Sequence, residues 1–454
     1  MFKRKKPSRI IHHLSPARML LLFYLIALFI STFILSLPVA YQNREVAPFI
    51  DVLFTAVSAL SVTGLTTFSI SDTLSLTGIV FLSIILHLGL LGVMSVSASI
   101  LLLLGRRIGM SERRLIMQDQ NLYNYGGIVN VIKHILIIVF TVEIVTIAIL
   151  GSYLLNYFDT AKEAYFNAYF QTISALSNGG FALQNDSLVP YANDYMIQII
   201  TMLLIIVGAI GFPVLIELSS FLFMKKSRRK MFRFSLYTKL TTTTFFILIF
   251  GGALFIFLFD MTGFFTHKTW HESLFYALFQ SVTTRSAGLS TMDVSLLSET
   301  NQLFMSILMF IGASPSSAGG GIRTTTFALV IIFIITYARG GKGLKIFNRE
   351  VYDEDLLKAV TVMLLAIMMF VAGVITLSMV EPFPLNHIIF EVASAFGTVG
   401  LSQGITGELT SLSKIILMIF MFIGRIGLVT FILTFRNDSN QELVRYPKER
   451  LIIG

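Results

Sequence analysis

Two near copies, Ser58-Ala-Leu-Ser-Val-Thr-Gly64-Leu and Ser174-Ala-Leu-Ser-Asn-Gly-Gly180-Phe, present the same short turn as two looser versions, Thr284-Arg-Ser-Ala-Gly288-Leu and Ser394-Ala-Phe-Gly-Thr-Val-Gly400-Leu. The turn residues are Val62, Thr63 and Gly64; Asn178, Gly179 and Gly180; Ser286, Ala287 and Gly288; and Thr398, Val399 and Gly400. None carries an acidic side chain, so a cation bound there is held by main-chain carbonyl oxygens and an occasional hydroxyl. A ring of carbonyls replaces a hydration shell without adding net charge, which suits K+. Glycine closes each turn because it accepts positive φ without a Cβ penalty, letting successive carbonyls face one way.

The key glycines are 116, 108 and 112 residues apart, and a cycle of apolar runs separates them, so the chain is a fourfold repeat. Stretches near the roughly 20 residues needed to cross a bilayer occupy 19–40, 73–104, 135–155, 195–216, 240–259, 302–311 continuing as 324–338, 359–380 and 415–435. With 55% hydrophobic and 13% charged residues among 454, and a mean hydropathy of +0.80, the chain is a polytopic membrane protein and not a water-soluble globule. The first run is too long for a signal peptide and no small-residue cleavage site follows it, so it is read as a retained helix. The absence of cysteine excludes disulfides and thiolate metal sites.

Each repeat has one internal order. A span leads to a polar outer loop (Tyr41-Gln-Asn-Arg-Glu45, Asp159-Thr-Ala-Lys-Glu163, His267-Lys-Thr-Trp-His271 or Glu381-Pro-Phe-Pro384). A half-length apolar segment (51–61, 164–177, 274–284 or 386–396) then ends in the glycine turn, and a second span returns. Segments this short are re-entrant elements. Non-helical backbone at that depth belongs against protein or a wet cavity, and the helix C-termini add partial negative charge aimed inward. The expected architecture is all-α, with four helix, re-entrant pore loop, helix repeats in pseudo-fourfold symmetry around one pore. Its expected parts are a basic N-terminus 1–18, repeats at 19–104, 133–224, 238–338 (with a broken second helix) and 358–435, and a C-terminal segment 436–454.

Of the 34 Lys and Arg, 27 lie in 1–18, 105–133, 224–239, 339–358 and after 435, all on one side if eight spans alternate. The positive-inside rule then places both termini in the cytoplasm. The clusters Lys3-Arg-Lys-Lys6 and Lys225-Lys-Ser-Arg-Arg-Lys230 read as topology signals, and a net charge of +9 needs no nucleic acid to explain it.

A second periodic signal follows the turn glycines by 25, 28, 24 and 24 residues: Gly89-Leu-Leu-Gly92, Gly208-Ala-Ile-Gly211, Gly312-Ala-Ser-Pro315 and Gly424-Arg-Ile-Gly427. The first two read as small-x-x-small helix packing positions. In the third repeat, Gly312, Ala313, Ser314, Pro315, Ser316, Ser317, Ala318, Gly319, Gly320 and Gly321 interrupt an apolar span, and a continuous helix there is improbable. A flexible segment below a pore reads as a gate, with a packed kink as the plainer alternative. Arg425 stands mid-span where repeat one has Leu90. An unpaired guanidinium in lipid costs several kcal/mol, so Arg425 is expected to bond the carbonyls of the loop and raise the barrier to cations.

Glu143 and Glu217 fit structural pairing or snorkelling better than transport, and His87 fits an interhelical hydrogen bond. Arg285 replaces the serine of the first two repeats and would hold its turn from behind. No zinc-protease helix, nucleophile elbow or phosphate loop is present, so an enzyme is not expected.

The four repeats with one glycine each (Gly64, Gly180, Gly288 and Gly400), the break at 312–321 and Arg425 together resemble the Trk/Ktr/HKT superfamily of potassium transporters. The short N-terminus makes the chain most similar to a bacterial Ktr membrane subunit of the KtrB or KtrD type. The resemblance covers nearly the whole chain. It implies K+ selectivity from glycine at all four positions, K+ uptake often stimulated by Na+, a homodimer with one pore per subunit, and a cytosolic ring of nucleotide-binding RCK subunits. Repeat three departs most, at Val282 and Arg285. No dinucleotide fingerprint occurs in the chain, so a nucleotide would act through that partner, docking on 105–132, 224–239, 339–358 and the tail to 454. A Na+-permeable or Na+-coupled carrier on the same scaffold, and a membrane enzyme or sensor, are the alternatives.

Overall fold

Four long helices, Pro16–Leu35, Ile128–Leu154, Leu236–Phe259 and Asp353–Val380, open the four repeats. Each is long and apolar enough to cross a bilayer unbroken, and each leaves large apolar side chains exposed, among them Phe29, Ile144, Phe250 and Met368. These outer helices form the lipid-facing layer around the repeats' shorter elements. The computed structural model describes residues 15–103, 109–119, 128–225, 232–341 and 343–435, together with 447 and 449. Most of the expected basic N-terminus and C-terminal segment, and the basic residues at 226–230, lie outside the described residues.

The half-length segments form the helices Phe49–Leu60, Ala161–Ser177, Trp270–Thr283 and Leu385–Gly397, of 12 to 17 residues. At about 1.5 Å per residue they reach only part way through a hydrocarbon core roughly 30 Å thick. We call these the pore helices. Thr269 and Glu272 form a reciprocal cap at the start of the third, and Thr160 caps the second.

The returning elements begin as Leu76–Leu91, Tyr195–Ala209, Glu299–Ile311 and Ser411–Ile426. Ser75, Asp194, Ser298 and Thr410 stand at their N-caps, and each side chain accepts an N–H from the first turn. The apolar runs suggest continuous spans in repeats one, two and four, but the structure breaks all four. The chain resumes as Val93–Leu103, Phe212–Phe223, Thr324–Ala338 and Leu428–Phe435. In repeats two and four the halves meet at 107° and 100°.

The two glycines of each Gly-x-x-Gly do different work. A Cβ built on Gly89 would lie 2.7 Å from the Leu60 carbonyl oxygen, and one on Gly208 2.7 Å from Asn178 Oδ1. One on Gly424 would run into the Phe396 carbonyl oxygen. The first glycine therefore lets the returning helix touch the end of its own pore helix. The second, Gly92, Gly211 or Gly427, has φ of 80°, 101° or 88° and cannot continue a right-handed helix. In repeat three Gly312, with φ 67°, takes the place of this second glycine, and the long loop follows it.

Polar contacts join the repeats in cyclic order at the end of the bundle where the returning helices begin. Ser71 donates to Asn185 Oδ1 at 2.8 Å. Leu188 N–H reaches Ser290 O at 2.9 Å, and Ser290 N–H reaches Ser187 Oγ at 3.0 Å. Asn386 and Gln403 donate to Gln302 Oε1 at 2.5 and 3.0 Å. Lys414 Nζ pairs with Asp51 Oδ1 at 2.8 Å, closing repeat four onto repeat one. Further described elements include the helix Met110–Asp119 and an antiparallel hairpin pairing Lys345 with Glu350 and Ile346 with Arg349.

The two glycine roles predict different sensitivities. Gly424→Ala forces a Cβ into backbone, so it destabilises the protein by about 1–3 kcal/mol. Gly427 has nothing within 4 Å of an added Cβ, so Gly427→Ala incurs only its left-handed φ, about 1–2 kcal/mol. Thermal unfolding in detergent should show the larger drop for Gly424→Ala, and the reverse order would refute the assignment.

Candidate functional site

The four turns converge. A Cβ built on Gly64 would lie 2.7 Å from Gly180 Cα, one on Gly180 3.0 Å from Gly64 Cα, and one on Gly288 3.1 Å from Gly180 Cα and 3.0 Å from Gly400 Cα. One on Gly400 would lie 3.0 Å from Gly64 Cα, which closes the ring. The carbonyl oxygens of Thr63, Gly179, Ala287 and Val399 are the other atoms such a Cβ would meet. The turn residues expected from sequence are thus together at one place, and a side chain at any of the four glycines would fill it.

The backbone repeats as closely as the sequence. Val62, Asn178, Ser286 and Thr398, each two residues before its glycine, have φ of 57°, 58°, 79° and 48°, and the glycines have φ of 98°, 70°, 72° and 98°. For β-branched Val62 and Thr398 the left-handed region is costly, so the packing around them must hold it. Part of that hold is local. Thr63, Gly179 and Val399 donate their N–H groups to Ser58, Ser174 and Ser394 carbonyl oxygens at 2.8, 2.7 and 2.8 Å. The Ser58 and Ser394 hydroxyls accept the N–H of Gly64 and Gly400, both at 3.0 Å. Serine recurs six residues before the glycine in the first, second and fourth motifs, and nothing in the sequence marks it as a cap for the glycine amide. Val282 stands there in repeat three.

Above the ring lies an open cavity of about 950 Å³ whose lining includes Gly64, Gly180, Gly288 and Gly400. Its wall also carries Asp186, Asp293 and Lys268. Beside it, Asn185 and Ser69 donate to the exposed Asp72 carboxylate, both at 2.9 Å, and these bonds hold its pKa below the ordinary value. The mouth therefore combines fixed negative charge with a floor of backbone.

Below the ring lies the loop of repeat three. A Cβ built on Gly319 would lie 2.5 Å from Ser286 Oγ, and one on Gly320 2.5 Å from Thr398 Oγ1, so the loop packs directly against two of the turns. Its main chain is bonded to the break in repeat two: Ser314 N–H to Ala209 O at 3.1 Å, Ala318 N–H to Gly208 O at 3.0 Å, and Phe212 N–H to Ser316 O at 2.8 Å. Tyr237 donates to Pro315 O at 2.6 Å. Arg425 is buried and donates one guanidinium N–H to Ala318 O in the loop and another to Gly89 O in repeat one. The expected contact between Arg425 and a loop carbonyl is present. A second guanidinium, Arg323 at the end of the loop, donates back to Ser314 O and Gly319 O; sequence reading had not singled it out.

Other polar residues link separate elements. Arg285, fully buried, donates to Leu308 O at 2.7 Å and ties its turn to the returning helix of repeat three. His87 Nε2 meets Glu143 Oε1 at 2.9 Å across two helices, and Glu217 accepts Ser235 N–H at 3.1 Å. Asp119, on the helix Met110–Asp119, accepts Tyr24 O–H at 3.1 Å and Met94 N–H at 3.3 Å and lies within electrostatic reach of Arg425. Its helix has a mean composition too polar to suggest a buried end, so sequence gave no hint of that role.

Re-entrant turns meeting under an open vestibule, inside a shell of apolar spans, define a pore-loop membrane protein. Comparison with known proteins takes this further. The family model described as TrkH, cation transport protein, matches residues 12–444. The chain is 47% identical over 451 residues to Ktr system potassium uptake protein D of Bacillus subtilis strain 168, covering 99% of this chain and 100% of that one. It is 33% identical to Ktr system potassium uptake protein B of the same organism, covering 97% of each. The crystal structure of the potassium transporter TrkH from Vibrio parahaemolyticus shares the fold, with a TM-score of 0.71 over 94% of this chain and 87% of that one at 19% identity. The chain belongs to the TrkH/Ktr family of cation transport proteins, which are transporters and not enzymes.

The serine caps give a stability test. Ser58→Ala leaves the buried Gly64 N–H without its partner, at about 1–3 kcal/mol. The Ser174 hydroxyl has no hydrogen-bond partner, so Ser174→Ala should be close to neutral. Equal losses in thermal unfolding would remove the capping role.

Proposed function

We propose that the chain is a K+ uptake subunit: a channel-like pore in which the turns 62–64, 178–180, 286–288 and 398–400 form a backbone-carbonyl selectivity filter, and the loop 312–321 with Arg425 forms the gate. The observation that carries this reading is the closed ring of Gly64, Gly180, Gly288 and Gly400 at the floor of the outer cavity, with the loop packed on its other side. Carbonyl oxygens supply the coordination that K+ needs to leave water. The C-termini of four pore helices add roughly half a negative charge each near the same place. Inward movement is driven by the membrane potential, about 2.3 kcal/mol per charge per 100 mV. The names of the relatives that align end to end support the choice of ion.

Arg425 does two things in this scheme. Its positive charge below the filter opposes a cation, and its bond to Ala318 O keeps the loop closed. A homodimer with a pore in each subunit, both termini cytoplasmic, a cytosolic RCK ring that carries the nucleotide, and stimulation by Na+ complete the proposal. The partner ring would dock on 105–132, 224–239, 339–358 and the tail to 454. These features rest on the family resemblance and on charge placement.

Flux of K+ and Na+ into liposomes containing the purified protein tests the reading. K+ entry well above Na+ entry is expected, with Gly64→Ser and Gly288→Ser each reducing the preference severalfold. Arg425→Ala should raise K+ flux severalfold. Na+ entry equal to K+ entry would favour the Na+-permeable carrier, and no flux of either ion would overturn the pore.

A further inference from the structure

Ser286 holds the third repeat's place in the set Val62, Asn178, Ser286 and Thr398, and its hydroxyl is used differently from any of the other three side chains. Ser286 Oγ accepts the N–H of Gly320 in the loop at 3.2 Å. It donates to Thr398 O in the fourth turn at 2.7 Å, with Gly397 O at 3.2 Å and Thr398 Oγ1 at 3.0 Å also in reach. A hydroxyl has one proton to give and lone pairs to accept with. The shortest of these bonds takes that proton to Thr398 O, while a lone pair receives Gly320 N–H. The result is a continuous chain from loop N–H through Ser286 O–H to the main-chain carbonyl of Thr398.

The surroundings keep this chain dry and single. Ser286, Thr398 and Gly320 are buried. The loop reaches Ser286 only because residues 319 and 320 have no Cβ. In a low-dielectric setting the members of a hydrogen-bond chain strengthen one another, so the bond Ser286 makes to Thr398 O depends on whether the loop amide is there. Val62 has no polar atom to play the same part, and among the described residues no hydrogen bond joins the Asn178 side chain to the loop.

We propose that Ser286 is a positioning residue that makes the selectivity of the filter depend on the position of the loop. With the loop in place, Gly320 polarises the Ser286 hydroxyl and the fourth turn is held firmly through Thr398 O. With the loop away, that hold weakens and the fourth turn is freer to adjust around the ion. By linkage, an ion whose affinity for the ring differs between the two arrangements biases the loop by the same factor, so the transported cation itself influences opening. The inference rests on the filter and gate reading above.

The test compares Ser286→Ala in the full-length protein and in a protein lacking residues 319–321, with K+ and Na+ flux into liposomes as the readout. In the full-length protein Ser286→Ala should lower the K+/Na+ flux ratio about threefold or more. In the shortened protein, where Gly320 is gone, the same substitution should lower the ratio of that background by less than half as much. A merely structural serine predicts equal effects in both backgrounds, and that result, or an unchanged ratio in the full-length protein, overturns the relay. If Ser286→Ala does not yield folded protein, Ser286→Cys, similar in size and a weak donor, is read by the same criteria. Flux through the unsubstituted protein separates the two levels: its absence overturns the pore reading and the relay with it, whereas normal selective flux with additive effects overturns the relay alone.

Discussion

Close approach of four backbone turns is the constraint on which the rest of this structure depends. Gly64, Gly180, Gly288 and Gly400 sit so near one another that a single added Cβ would lie 2.7 to 3.1 Å from a neighbouring Cα. Backbone can be brought that close inside a membrane only if its polar groups are satisfied or face water. The pore helices end at the turns, the carbonyls of Ser58, Ser174 and Ser394 and the hydroxyls of Ser58 and Ser394 pair turn amides, and the cavity opens onto the ring from one side. Gly89, Gly208 and Gly424 serve the same end from the side, since without them the returning helices would stand off the turns.

Much of this was legible because the chain states it four times. One Ser-x-x-Gly in an apolar protein is an ordinary turn, but four near 112-residue spacing, each after a half-length helix, specify convergence. The loop of repeat three was legible from Pro315 and three successive glycines, and the buried position of Arg425 from the cost of a lone guanidinium in lipid. The breaks at Gly92, Gly211 and Gly427 were not. A glycine in an apolar run looks the same whether it allows close packing or reverses φ, and hydropathy cannot tell the two apart. The left-handed backbone at Val62 and Thr398 was hidden for the opposite reason, since β-branched residues rarely adopt it. Asp119 escaped notice because its burial arises from tertiary contact with Tyr24 and Met94 and leaves no local trace.

Fourfold likeness makes the departures informative. All four returning helices break at corresponding points, yet only the third opens into a loop of any length, and the other three breaks are single turns around one glycine. The loop crosses repeat boundaries: its bonds run to the break of repeat two, to Ser286 of its own repeat and to Arg425 of repeat four, which also holds Gly89 O of repeat one. Symmetry supplies the ring, and one enlarged break supplies its floor. The polar seams where the returning helices begin do not involve the loop, so the ring has supports independent of it.

Hydrogen bonds from the Ser314, Ala318 and Gly320 amides and to the carbonyls of Ser316, Pro315 and Ala318 fix the loop to other parts of the fold, and Arg323 adds bonds to Ser314 O and Gly319 O. At about 0.5–1.5 kcal/mol net for each, the closed arrangement lies several kcal/mol below one in which all are broken. Thermal fluctuation alone would then release the loop in well under one molecule in a hundred. Displacing the loop therefore needs free energy from another binding or contact event, delivered through the elements bonded to it: the break of repeat two, Tyr237 and Arg425.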